Sequence, residues 1–154
     1  MKKARWGHPT RAGRGVSRSR RRSSLRSELR PATHLALLRG RELYLAGRYF
    51  EAHEVWEEAW LEESGDVRVL LQALIQVAAG FVKALRDARP SGALKLFDAA
   101  LEKLSPLPDG LAGLALAPLR RDLVNAADAA RRWRDGAVSH LEARPPRIEL
   151  DGGP

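Results

Sequence analysis

The chain has 154 residues, enough for one domain with a core of its own. It contains no cysteine, which excludes disulfides, thiolate zinc sites, iron–sulfur clusters and cysteine nucleophiles and suits a cytoplasmic protein. The formal charge of +8 is unevenly placed: residues 1–30 hold 11 of the 27 Lys and Arg but only Glu28 among the 19 acids, so the remaining 16 basic and 18 acidic groups leave the rest slightly acidic.

Residues 1–30 contain no apolar run, so they do not read as a secretory signal. Arg20–Arg22 resemble a twin-arginine signal, but no hydrophobic segment follows them. Composition rich in Arg, Gly and Ser predicts a disordered basic tail that ends at Pro31. Such a tail can serve as an electrostatic arm for nucleic acid, with Arg18, Arg20, Arg21 and Arg22 displacing counterions from phosphates. It can equally be a solvated extension without a partner, or the product of a mis-called start codon. Nucleic acid enters as a partner only through this tail.

From Thr33 onward the apolar spacing is helical, and no stretch alternates with period two over strand length. The pattern predicts an all-α domain over residues 31–135, a compact array of about five helices built from helical hairpins, followed by an extended C-terminal tail over 136–154. Thr33 is a candidate N-cap for a first helix ending near Ala46, with Leu35, Leu38, Glu42 and Leu45 marking one face and Leu43 and Tyr44 extending it. Gly47 then supplies a left-handed C-terminal residue. A second helix covers about Arg48–Glu63. The third, about Val67–Ala88, is apolar on most sides, as a central helix should be. Gln72, Gln76 and Lys83 interrupt its apolar text, so its uninterrupted run is too short for a membrane span. Arg89-Pro90-Ser91-Gly92 reads as a turn. A fourth helix follows over about Gly92–Leu104. The fifth runs from about Pro118 to Trp133, with Arg120, Arg121, Arg131 and Arg132 on a solvated face. Ile148 and Leu150 can pin the C-terminal tail to the domain.

Helices two and four repeat a pattern. Ala52, Trp56 and Ala59 recur 41 residues later as Ala93, Phe97 and Ala100, each set following a glycine, Gly47 or Gly92. Small, aromatic, small at this spacing allows close helix approach around one ring. It resembles the second helix of a tetratricopeptide repeat, in which Gly-x-Tyr opens the helix as Gly47-Arg48-Tyr49 does here.

The segment GRYFEAHEVWEEAW, Gly47 to Trp60, is the most informative in the chain. Together with LLQALIQVAAGFVKA and SGALKLFDAALEKL it resembles the uncharacterised family called domain of unknown function 309, small helical proteins of bacteria and archaea. The resemblance covers about Leu38–Leu104. It rests most on Phe50, Glu51, His53, Glu54, Trp56 and Glu57, and on Leu74, Ile75 and Gln76. It implies an all-helical fold and no particular activity, and the basic tail is not part of the family pattern.

His53 and Glu57 are one helical turn apart on the side that carries Trp56 and Trp60, with Glu54 on the flank. This is spacing for two metal ligands or for a general base beside a carboxylate. A third ligand would have to come from Gln72, Gln76, His34 or His140, and no HExxH motif is present. The bland alternative is a buried histidine satisfied by a carboxylate and an amide. Three functions follow. The first is an interaction or scaffold module, with a protein partner or a second copy, no cofactor and no membrane. The second is an enzyme or ligand-binding protein using His53, Glu54 and Glu57 as candidate catalytic groups, with Gln72, Gln76, Trp56, Trp60 and Lys83 as candidate binding groups and a divalent metal held by His53 and Glu57. The third is a nucleic-acid-associated protein acting through its tail.

Overall fold

The structure, a computed structural model, describes residues 29–151. Residues 1–28 of the basic tail, with Arg18, Arg20, Arg21 and Arg22, lie outside the described residues. Five α-helices form the body: α1 (Pro31–Leu45), α2 (Tyr49–Glu62), α3 (Gly65–Phe81), α4 (Pro90–Leu104) and α5 (Leu116–Arg134). Each packs mainly on its sequence neighbours, so the array is built of successive antiparallel hairpins.

The first hairpin is organised by a glycine. A Cβ added to Gly40 on α1 would sit 2.2 Å from Trp56 Nε1 on α2, so the indole lies directly on the α1 backbone. The second hairpin repeats the device: a Cβ on Gly80 of α3 would sit 2.4 Å from the ring of Phe97 on α4. Ala52, Ala93 and Ala100 are wholly buried beside these rings and Ala59 nearly so, as the internal repeat requires. Tyr44, Tyr49, Phe81 and Phe97 extend the aromatic line, with Tyr49 stacked 5.3 Å from Phe81 and Phe81 5.1 Å from Phe97.

Gly40 also corrects the predicted inner face of α1. That face is Thr33, Leu37, Gly40, Leu43 and Tyr44, so of the expected face only its extension, Leu43 and Tyr44, is buried. Leu35 and Leu45 point outward because the helix must turn its bare glycine, and not its largest aliphatic stripe, toward Trp56. Thr33 is not the N-cap either. Arg30 holds that position, Pro31 opens the helix, and the Thr33 hydroxyl donates to the Glu63 carboxylate across the hairpin.

The repeat is not symmetric at its turns. From Gly40 to Trp56 is 16 residues and from Gly80 to Phe97 is 17. The extra residue is absorbed where α3 continues as a π-helical segment, Val82–Arg86. The first turn closes with Gly47 at φ 80° and Arg48 N–H donating to Leu43 O. Its counterpart is Ala88 at φ 52°, not Gly92, which lies inside α4. Pro90, expected only to end the preceding helix, also provides the first residue of α4.

With the π segment, the third helix spans Gly65–Arg86. It is long and apolar enough to cross a membrane, contrary to the length argument from sequence, but 83% of its apolar window is buried inside the protein. Arg120 departs from the predicted solvated face. Its guanidinium donates to Leu104 O and Leu107 O, closing the C-terminal end of α4.

Sequence periodicity offered no strand, yet Leu114–Ala115 (β1) and Glu149–Leu150 (β2) form a short antiparallel pair. The C-terminal segment is thereby strapped to the body. Tyr44 Oη donates to Pro146 O at 2.7 Å, Arg41 Nε donates to Ile148 O, and Ile148 is buried while Leu150 stays half exposed. Burial pushes the Tyr44 phenol well above its usual range, so it remains a neutral donor. Arg147 forks onto Asp122 of α5, with Nε 2.8 Å and its backbone N–H 3.0 Å from Oδ2.

Gly40→Ala and Gly80→Ala will each destabilise the fold by about 1–3 kcal/mol, because a methyl must displace a ring held between two helices. Ala88→Gly will stabilise it by about 0.5 kcal/mol, since glycine meets no Cβ penalty at positive φ while loosening the unfolded chain. Urea denaturation of the three variants checks both signs. The Arg147 side-chain hydrogen bond holds the Asp122 carboxyl below its ordinary pKa. Its contribution is fully present above the unfolded carboxylate pKa and is lost as pH falls through the folded one. The strap should therefore loosen only in acid, seen as faster hydrogen exchange at Ile148 and Glu149, and Asp122→Asn should bring the same exchange to neutral pH.

Candidate functional site

The sequence singled out a group of polar side chains on α2 and α3, and the structure buries four of them. His53, Glu57, Gln72 and Gln76 are 1%, 4%, 1% and 0% exposed. Their spacing of four residues on each helix places each pair on one stripe, and α2 and α3 pack along their lengths. Burying an imidazole, a carboxylate and two amides is costly unless each is partnered. None of the four stands alone.

His53 Nδ1 lies 2.5 Å from Phe50 O, one turn back on α2. A carbonyl only accepts, so Nδ1 carries a hydrogen and donates it. The Phe50 ring stands edge-on to the imidazole at 4.7 Å and shields it from solvent. The histidine is thus oriented by its own helix, through a contact that i, i−3 spacing makes available to any helical histidine.

The other candidates are placed differently. Glu54 is half-buried on the flank of α2, outside the buried group. Trp56 is fully buried against Gly40. Trp60 is buried with the Arg68 guanidinium 4.1 Å above its ring, so that face is covered from α3. Lys83 lies on the π segment, its stem against Gly92 and its ammonium 3.9 Å from Asp87. His34 is exposed on α1, and His140 is exposed beside Glu142 in the C-terminal segment, 4.0 Å away. Among the described residues, no three His, Asp or Glu side chains are grouped to hold a metal ion.

Two surface grooves escaped sequence reasoning. One, of about 300 Å³, lies where the first turn meets the π segment. Phe81 and Val82 floor it, Phe50 and Leu85 stand exposed beside it, and Arg48 and Arg86 flank it. Arg86 also lies 5.4 Å over the Phe50 ring. The other, of about 410 Å³, runs between α1 and α2 on the outside of the first hairpin. The exposed leucines 35 and 85 were the available signal, but helical periodicity assigns such residues to the core.

Comparison with known proteins adds a family match. No curated protein matches the chain. A family model described as Domain of unknown function (DUF309) matches residues 37–96, from α1 into α4. The matched stretch contains both glycine–aromatic contacts except the ring of Phe97, and all four buried polar residues. The family is uncharacterised, so the match brings no activity with it. Residues 37–96 thus match the model of the DUF309 family, the one that the Gly47–Trp60 segment resembles.

Proposed function

We propose that the protein is a helical-hairpin interaction module, and that its buried polar group sets the register of α2 on α3. The observation that carries this reading is the division between inside and outside. The side chains with chemical potential, His53 and Glu57, are enclosed, and His53 is tied to its own helix. The grooves beside Phe50 and between α1 and α2 instead have apolar floors and charged flanks, the composition of surfaces that dock other proteins. Partnered polar groups in a core favour one helix register over its neighbours, because a slip leaves them unsatisfied.

The competing reading is a ligand or metal site centred on His53, with the imidazole as ligand or base. His53→Gln separates the two. It keeps most of the volume and a hydrogen-bonding amide but removes the titratable ring. As part of a register-setting group, its replacement should cost about 1–3 kcal/mol in denaturant unfolding. Elemental analysis should find no stoichiometric transition metal in wild type or variant. About one metal per wild-type chain, lost in a variant that folds normally, would overturn the interaction reading.

A further inference from the structure

We infer that the outer face of the first hairpin is a self-complementary docking surface, and that its partner is a second copy of this chain. The inference rests on the interaction-module reading and names its partner. In the array each helix covers its sequence neighbours, which leaves the far side of α1 and α2 without a helix against it among the described residues. That face is a groove of about 410 Å³ floored by Ala36, Val55 and Ala59. Leu35 stands on its edge, 66% exposed. Small residues on the floor let another helix approach closely, and the leucine is a knob of the size such a groove accepts.

Charge decides the occupant. The α1 side of the groove carries Arg30 and Arg39, and the α2 side carries Glu58 and Glu62. One flank is therefore basic and the other acidic. A strongly acidic or strongly basic partner would meet repulsion along one flank. A second copy meets none if it is turned about an axis along the groove, which lays α1 of each copy over α2 of the other. The hairpin register shows that the charges then oppose. Gly40 lies level with Trp56, and Thr33 reaches Glu63, so Arg39 lies within a residue of the level of Glu58. Arg30 Nη1 donates to the backbone carbonyl of Glu62 at 2.6 Å, which sets its guanidinium at the C-terminal end of α2, the end that carries Glu62. A two-fold axis across the groove would instead stack like charges. The geometry thus selects an isologous dimer of one orientation. The ion pair that Arg39 makes within its own chain, 3.5 Å from Glu42, is exposed on both sides and is readily exchanged.

The face is small. A helix of 15 residues is about 22 Å long, and two helices side by side are about 20 Å wide, below the roughly 800 Å² per partner of a standard interface. The dimer is accordingly concentration-dependent, with a dissociation constant in the micromolar range.

Sedimentation equilibrium of the full chain from about 5 μM to about 1 mM should show a monomer–dimer equilibrium. Leu35→Asp changes an exposed residue, so it should leave the circular dichroism unchanged and raise the dissociation constant by about 30-fold or more, the loss expected when an apolar knob of an interface is replaced by a charge. Arg39→Glu should weaken the dimer about 10-fold, and adding Glu58→Arg should restore it to within about 3-fold. A chain that stays monomeric throughout the range overturns the inference. So does a dimer indifferent to Leu35→Asp and Arg39→Glu, or a charge swap without rescue. Each of these leaves the interaction reading to be judged by metal content and the His53→Gln variant.

Discussion

The architecture depends on the contact between a ring and a bare backbone. Trp56 rests on Gly40 and Phe97 on Gly80, and in each hairpin the contact brings two helices closer than any side chain at the glycine would allow. Neither ring can be accommodated without its glycine, and neither glycine has a reason to stay in mid-helix without its ring, where it costs up to about 1 kcal/mol relative to alanine. The two contacts align the helices so that Tyr44, Tyr49, Phe81 and Phe97 form one aromatic line through four of them. The rotation of α1 that exposes Leu35 follows from the same requirement.

Asymmetry between the hairpins follows from one residue. The second is longer by one between glycine and ring, and α3 takes up the surplus as a π segment instead of shifting Phe97 off Gly80. The cost falls on the turn, where Ala88 occupies a left-handed position that glycine fills in the first hairpin. The π segment also carries Val82, Leu85 and Arg86 into the groove beside Phe50, so a small irregularity of the backbone creates part of the open surface. At the other end of the array, the C-terminal strap is held by backbone carbonyls and one bidentate arginine, contacts that tie α1 and α5 without adding much to the core.

Interior and surface differ in how polar groups are placed. His53 and Glu57 of α2 and Gln72 and Gln76 of α3 are buried. The outer surface of the first hairpin carries arginines on one helix and glutamates on the other, which gives it a direction as well as a sign.

Helix content, the hairpin order and the Ala–aromatic–Ala repeat were legible in the sequence because they rest on local periodicity and on residues whose neighbours are a turn away. The positions of His53 and Glu57 on the inner side of α2 were legible for the same reason. The inner face of α1 was not, because hydrophobicity ranks Leu35 above Gly40, and only the Trp56 ring across the hairpin reverses that order. Arg120 read as solvated since its partners, the last carbonyls of α4, are distant in sequence. The β1–β2 pair was invisible since two residues show no period, and Leu114 meets Leu150 only once α5 has brought the chain back. The sequence by itself thus determined which segments are helical and which of them pair. Tertiary structure decided the rotation of each helix about its axis, since that depends on the shape of what lies opposite.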